Sequence, residues 1–150
     1  MRSQGRGVTR VVGLNDRKVE VRVPVDDPFS VLPENVRAEL KSRWRRPCED
    51  LFSYLAERHP DTLLLLIEKG DMAPADLTYA AELAGRIVGS QGVLLRLLAD
   101  GSPVVREGAI YGLAERLAGG VSGVREKLLR VASRDPSPAV RAAAAAVLTP

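Results

Sequence analysis

Residues 100–113 read DGSPVVREGAIYGL, and residues 135–148 read DPSPAVRAAAAAVL. The two stretches lie thirty-five residues apart and agree at seven positions: Asp100 with Asp135, Ser102 with Ser137, Pro103 with Pro138, Val105 with Val140, Arg106 with Arg141, Ala109 with Ala144 and Leu113 with Leu148. A period of this length is typical of proteins in which a helical hairpin repeats and neighbouring hairpins share one core. The sequence therefore predicts a repeat protein built from stacked helices.

Each position of the repeated pattern has a physical reason. The serine suits the N-cap of a helix, and the proline after it presets the first helical turn. The small side chain of Ala109 or Ala144 lets a neighbouring helix approach closely. A weaker copy lies upstream, where LAGRI at 83–87 matches LAERL at 113–117 and Pro74 opens the helix.

The spacing of apolar residues, together with proline, glycine and serine at the breaks, defines the predicted helices. They run over 33–46, 47–58, 61–69, 74–88, 91–99, 103–118, 123–133 and 138–148. Pro47 is placed at the first position of the second helix. The predicted N-caps are Ser90, Ser102, Ser122 and Ser137.

The pattern D-x-S-P-x-V-R-x-x-A-x-x-x-L resembles the HEAT repeats of the short bacterial type, which also occur in phycobilisome-lyase-like proteins. The resemblance covers residues 61–150 as three helical hairpins, with 33–58 as a degenerate fourth, whereas residues 1–32 resemble no family. It implies a mainly α fold, in which the hairpins stack into an α-solenoid.

The resemblance also implies a ladder of ion pairs between the turn of one repeat and the helix of its neighbour. The residues that would form it are Asp100, Arg106, Asp135 and Arg141. A catalytic Arg-Asp pair is the alternative, but repetition at equal spacing favours a structural role. The upstream copy departs from the pattern, because Asp76 and Leu77 stand where Val-Arg is expected.

The N-terminal part of the chain has a different periodicity. Valines alternate with polar residues on both sides of Asn15-Asp16, which predicts a β-hairpin with Val12 opposite Val19. An isolated hairpin is marginal in water, so it is expected to cap the N-terminal end of the solenoid. The predicted organisation is a disordered arm at 1–7, the hairpin and a linker at 8–32, and one helical unit at 33–150.

The composition excludes several classes of protein. The chain has 150 residues, of which 45% are hydrophobic, and its net charge is only +3. One Cys and one His exclude an internal disulfide framework and the usual Cys/His zinc sites. No P-loop, dinucleotide-binding or EF-hand motif occurs in the sequence, so neither enzymatic activity nor a cofactor is expected. The longest apolar run, Leu63 to Ile67, is too short to span a bilayer, and a cytoplasmic location without membrane contact is expected.

A basic cluster surrounds the single tryptophan, Trp44, and consists of Arg37, Lys41, Arg43, Arg45 and Arg46. Cations beside an aromatic ring can grip phosphate and stack a base, so helix 37–46 is a candidate nucleic-acid surface. Trp44, however, falls in helical phase with Val36 and Leu40. This phase favours a core tryptophan beneath a solvated basic rim.

The predicted function is binding of another protein, without catalysis. In a solenoid the second helix of each hairpin lines the concave face, and here these helices are 74–88, 103–118 and 138–148. Tyr and Arg are frequent anchors of interfaces. The residues predicted to contact the partner are Tyr79, Glu82, Arg86, Tyr111, Glu115 and Arg116, with the alternative that the two tyrosines pack between hairpins.

Two other functions remain open at this stage. One is a nucleic-acid accessory protein that uses the Arg-rich helix 37–46. The other is a small immunity or antitoxin-type inhibitor, a role that small bacterial HEAT-like proteins can fill. Strong salt dependence of binding to generic DNA or RNA would favour the nucleic-acid function, and a tight one-to-one protein complex would favour either the scaffold or the inhibitor.

The final predicted helix, 138–148, is apolar on almost all sides. Arg141 and Thr149 are the only polar side chains along it. Repeat arrays need a polar outer face at their ends, because the terminal hairpin has no neighbour to cover it. Self-association through this helix, or continuation into further repeats, is therefore expected.

Overall fold

The computed structural model describes residues 8–14, 17–23, 29–70 and 72–149, the first two ranges as backbone only. These residues are mainly helical. The described helices are α1 (Glu34–Lys41), α2 (Glu49–Arg58), α3 (Pro60–Lys69), α4 (Pro74–Ala84), α5 (Gln91–Leu97), α6 (Pro103–Ala118), α7 (Val124–Arg134) and α8 (Pro138–Leu148).

Two strands precede the helices. β1 (Val8–Leu14) and β2 (Arg17–Val23) pair antiparallel, with Val8 opposite Val23 and Val12 opposite Val19. The predicted arm at 1–7 and the Asn15-Asp16 turn lie outside the described residues. That this strand pair caps the helices stays a prediction.

The helices pack in two layers. In one layer α4 lies between α2 and α6, and α6 lies between α4 and α8. In the other, α5 contacts both α3 and α7, and helices that follow one another along the chain join the layers. One hydrophobic cluster runs through both layers from Phe29 to Ala144. Because Phe29 and Leu32 are buried in it, the core of the helical unit begins before residue 33.

The crossing of α4 and α6 leaves no space for side chains at two glycines. A Cβ on Gly108 would lie 2.8 Å from the backbone oxygen of Thr78, and one on Gly112 would lie 2.4 Å from that of Ala81. The two glycines are four residues apart and therefore share one face of α6. Ala109, where the sequence pattern predicts the close approach, is fully buried beside them. Glycine backbone, more than alanine, thus sets the distance between the helices.

Four predicted helices are shorter than expected. α2 begins at Glu49 instead of residue 47 and α5 ends at Leu97 instead of residue 99, and the two larger differences are at the ends of α4 and α1. α4 ends at Ala84 instead of residue 88, because the N–H groups of residues 85–87 bond to carbonyls three residues back and Gly89 then adopts a φ of 91°. α1 ends at Lys41 instead of residue 46, and the N–H groups of Arg43 and Trp44 both bond to the Leu40 carbonyl. Trp44 therefore lies in a turn and not on the stripe of α1.

The helix starts also differ from the predicted caps. Ser137 accepts a hydrogen bond from the Val140 N–H at 3.4 Å, but Ser102 and Ser90 occupy N-cap positions without a side-chain cap bond. Gly123, with a φ of 87°, replaces Ser122 as the N-cap of α7. Pro47 lies outside α2, whose N-cap is Cys48.

We expect Gly112→Ala to lower the free energy of unfolding by about 1–3 kcal/mol, because the new methyl group would force α4 and α6 apart. Gly92→Ala is the matched control, since a Cβ there meets only the Arg96 Nη1 atom, at 4.0 Å. The control should gain up to about 1 kcal/mol from helix propensity. Urea unfolding measures both values, and a Gly112→Ala protein as stable as the wild type would contradict the close crossing.

Candidate functional site

Arg106 on α6 links the turn before α6 to the turn before α8. Its side chain is almost buried, and its Nε and Nη2 groups donate to Asp135 Oδ2 and Oδ1 at 2.9 and 3.0 Å. Its Nη1 group also donates to the backbone oxygen of Asp100 at 2.9 Å. A bidentate Arg-carboxylate pair is among the stronger hydrogen-bonded contacts in proteins. It fixes the turn before α8 against α6.

The same geometry recurs one repeat further along the chain. Arg141 Nη1 donates to the Asp135 backbone oxygen at 2.6 Å, as Arg106 does to that of Asp100. In both turns the aspartate side chain accepts the N–H of the serine two residues later, at 2.9 Å. In α4, the position equivalent to Arg106 and Arg141 is occupied by Leu77, which is buried in the core. The described ladder therefore ties α6 to the α7–α8 hairpin by charge, whereas at the equivalent position α4 contributes an apolar contact.

Two opposing effects act on the carboxyl group of Asp135. Burial raises its pKa, but the hydrogen bonds from the Arg106 guanidinium and the Ser137 N–H, with the charges of Arg106 and Arg141, outweigh burial. The pKa of Asp135 is therefore lower than its usual value. The folded state holds this group as a carboxylate.

An exposed stripe runs along α6 on the side away from the core. Among the described residues, the exposed large hydrophobic side chains are Val88, Val104, Tyr111 and Leu129. Val104 and Tyr111 are 50% and 44% exposed and lie two turns apart on α6. Glu107 and Glu115 fall on the same face. We call Val104, Glu107, Tyr111 and Glu115 the α6 stripe.

The six residues predicted to contact a partner occupy different environments. Tyr111 and Glu115 lie on the α6 stripe, and Glu82 and Arg86 are exposed on and just beyond α4. Neighbouring atoms partly desolvate the Glu82 carboxyl group, which raises its pKa.

The other two residues of that set are engaged within the protein. Tyr79 is half-buried, and its ring centroid lies 6.2 Å from that of Phe52, so it packs between α4 and α2. Arg116 donates from Nε to the Gly85 backbone oxygen at 2.9 Å. Both side chains therefore stabilise helix packing. For Tyr79 this agrees with the alternative prediction that the tyrosines pack between helices.

A cavity of about 450 Å³ lies beside Arg86, between the end of α2, the start of α3 and the turn after α4. Glu57 and Asp61 share its wall with Arg86, and Val88, 87% exposed, lies at its edge. A wall of mixed charge does not favour one ligand class. Because Arg86 lines this cavity, it is separate from the α6 stripe.

The basic cluster is divided between engaged and exposed side chains. The Arg43 guanidinium carbon lies 4.5 Å from the ring centroids of both Trp44 and Tyr54. Arg37 donates to Glu34 Oε1 at 3.1 Å and to the Ser30 backbone oxygen at 3.2 Å. Lys41, Arg43, Arg45 and Arg46 are exposed, whereas Arg37 is half-buried.

A polar contact that the sequence pattern does not indicate joins α1 to the α2–α3 corner. The Tyr54 hydroxyl donates to Glu39 Oε2, and His59 Nε2 lies 3.4 Å from Glu39 Oε1. The bond to the carboxylate raises the pKa of Tyr54. His59 is also the C-cap of α2 and donates its backbone N–H to the Leu55 oxygen. This arrangement holds the first helix against the second.

α8 leaves small apolar side chains uncovered. Val140, Ala143 and Ala144 are buried, whereas Ala142, Ala145 and Ala146 are exposed. Self-association through this helix stays a prediction.

Within residues 29–70 and 72–149, no three His, Cys, Asp or Glu side chains come together as ligands for a metal ion. Cys48, half-buried at the start of α2, is a free thiol. None of the helices that the structure describes has the length and apolar character needed to cross a membrane.

Comparison with protein-family models, with curated proteins and with solved structures gave no match.

We expect Arg106→Ala to lower the free energy of unfolding by about 1–3 kcal/mol, because it leaves Asp135 partly buried without its charged partner. A double-mutant cycle with Asp135→Ala should give a coupling energy above about 0.5 kcal/mol. Arg96→Ala is the control, since Arg96 is exposed and pairs with Glu68 instead of Asp135. Additive effects of Arg106→Ala and Asp135→Ala would contradict a stabilising ion pair.

The lowered pKa of Asp135 makes its contribution to stability dependent on pH. That contribution is complete above the unfolded-state pKa of about 3.9 and is lost as the pH falls through the lower folded-state value. The difference in unfolding free energy between the wild type and Asp135→Asn should therefore shrink on acidification below about pH 4. Urea unfolding across this range tests it, with Glu57→Gln as an exposed control. A difference that does not change with pH would exclude this linkage.

Proposed function

We propose that this protein is a non-catalytic scaffold that binds another protein on the layer formed by α4, α6 and α8. The observation that carries the proposal is the exposure of Val104 and Tyr111 on one face of α6. Tyrosine is enriched at the centres of interfaces, where it contributes a large contact area and a hydroxyl group. Glu107 and Glu115 supply charge on the same stripe, as is usual at an interface rim.

The fold proposed for this scaffold is an α-solenoid of HEAT-like hairpins, capped at its N-terminal end by the β1–β2 hairpin. Support comes from the thirty-five-residue repeat and from the equivalent hydrogen bonds of Arg106 and Arg141. The order of contacts in the layer, α2 to α4 to α6 to α8, is the order that stacked hairpins produce.

The position of α6 suits a preformed binding surface. On one side its glycines lie against α4, and at its start Arg106 is bonded to Asp100 and Asp135. A helix fixed at these points loses little conformational freedom when a partner binds. The α6 stripe is therefore presented in one geometry before binding.

The nucleic-acid alternative has weaker support. Base stacking needs an open aromatic face, but Arg43 already lies against the rings of Trp44 and Tyr54. Arg45 and Arg46 are exposed and could contact phosphate. An inhibitor of the immunity or antitoxin type is a special case of protein binding, distinguished by a tight one-to-one complex.

The test combines Val104→Ser with Tyr111→Ser and compares this variant with Leu129→Ser, which removes an equally exposed side chain from α7. Tagged protein captures partners from extracts of the source cells, and binding is then measured with the purified partner. We expect the double variant to lose at least about 2 kcal/mol of binding free energy, as loss of an interface anchor does, and the control to bind normally.

Two results would reject this proposal. One is a partner whose affinity is the same for the wild type and the Val104→Ser, Tyr111→Ser variant. The other is salt-sensitive binding of single-stranded or duplex nucleic acid that Arg45→Glu with Arg46→Glu abolishes, which would favour the alternative function.

A further inference from the structure

A groove opens between α5 and α7, in the layer that does not contain the α6 stripe. Its volume is about 320 Å³. The apolar part of its lining is formed by Leu95, Leu98, Ala99 and Val131. α5 ends at Leu97, and Leu98 and Ala99, which follow it, line the groove opposite the C-terminal part of α7.

Three cations border this groove on α7. Lys127, Arg130 and Arg134 are exposed and follow one another at spacings of three and four residues, which places them along one face of the helix. None of them makes an ion pair with another residue that the structure describes. The carboxylate in the lining, Asp135, is bonded to Arg106. The groove therefore presents positive charge beside an apolar surface.

We propose that this groove binds an acidic peptide segment of a partner protein, with leucine-like side chains against the apolar lining and carboxylates against the three cations. The cations extend over two turns, a length of roughly 10 Å at the helical rise. A row of carboxylates along a peptide matches this length, whereas a single carboxylate or phosphate group reaches only part of it. The volume lies at the low end of the range of about 300–1,000 Å³ for small-molecule sites, and it suits one or two side chains.

This inference does not depend on the α6 stripe, because the two surfaces belong to different layers. A chain that uses both would hold two proteins at once. The charges that recognise the peptide are concentrated on α7, where the basic residues are Arg125, Lys127, Arg130 and Arg134 and the single acidic residue is Glu126.

The probe is a fluorescein-labelled helical peptide in which leucines occupy one face and glutamates the other positions. Fluorescence anisotropy with the full chain measures its affinity. Two matched peptides separate the contributions: lysines replace the glutamates in one, and glutamines replace the leucines in the other. We expect the Glu/Leu peptide to bind and both matched peptides to bind much more weakly, because the groove needs negative charge and apolar side chains together.

Variants of α7 place the binding in the groove. Arg130→Glu should weaken binding of the Glu/Leu peptide on the order of tenfold or more through charge repulsion. Arg125→Glu makes the same change in net charge on the same helix, outside the groove lining, and should retain most of the affinity. Circular dichroism and thermal unfolding show whether each variant folds like the wild type. If Arg130→Glu folds poorly, Arg130→Gln replaces it in the binding measurement. Val104→Ser with Tyr111→Ser should leave peptide binding unchanged.

Three outcomes would overturn the proposal. Equal losses in Arg125→Glu and Arg130→Glu would show attraction by net charge alone. Equal affinity for the glutamine-substituted peptide would exclude a role for the apolar lining. Displacement of the peptide by phosphatidylserine vesicles, but not by phosphatidylcholine vesicles, together with binding of the protein to the former, would assign the surface to an anionic membrane.

Discussion

The close crossing of α4 and α6 is the constraint on which the rest of the helical unit depends. Gly108 and Gly112 bring the backbone of α6 against Thr78 and Ala81, and the Gly85 turn also fits against Gly112. Helices this close exclude water and let small side chains such as Ala80 and Ala84 form the core. With only 4% aromatic residues, the chain depends on this short spacing to reach a dense interior.

Between α6 and the last hairpin, a charged pair adds to the packing. α6 and α8 are joined by Arg106 and Asp135, residues twenty-nine positions apart whose side chains are 11% and 7% exposed. A charged pair withdrawn from water is stabilising only when its hydrogen bonds are satisfied. Here both carboxylate oxygens and all three guanidinium nitrogens have partners. The pair thus specifies how the last hairpin sits on its neighbour.

The repeated sequence predicts the bounds of α6 and α8 well, because helix periodicity depends on local spacing. The pairing of Arg106 with an aspartate of the neighbouring turn is implied by the resemblance to HEAT repeats and not by spacing. α6 and α8 have the predicted bounds, and Arg106 meets Asp135. The ends of α1 and α4 could not be predicted this way, since the first depends on Trp44 turning toward Tyr54 and the second on the Gly85–Gly112 contact. The groove beside Arg130 depends on how the end of α5 packs against α7, which periodicity does not fix. A GxxxG spacing at 108–112 was the available signal for the crossing.

The enclosure of Trp44 has a spectroscopic consequence. This residue is the single tryptophan of the chain, and it lies against Arg43 and Tyr54 at the corner between α1 and α2. Its emission therefore senses the first helices, whereas far-ultraviolet dichroism sums over all of them. Because α2 packs mainly against α3 and α4, the two signals need not change together. Any separation between them measures how far the N-terminal corner melts independently of the hairpins that follow.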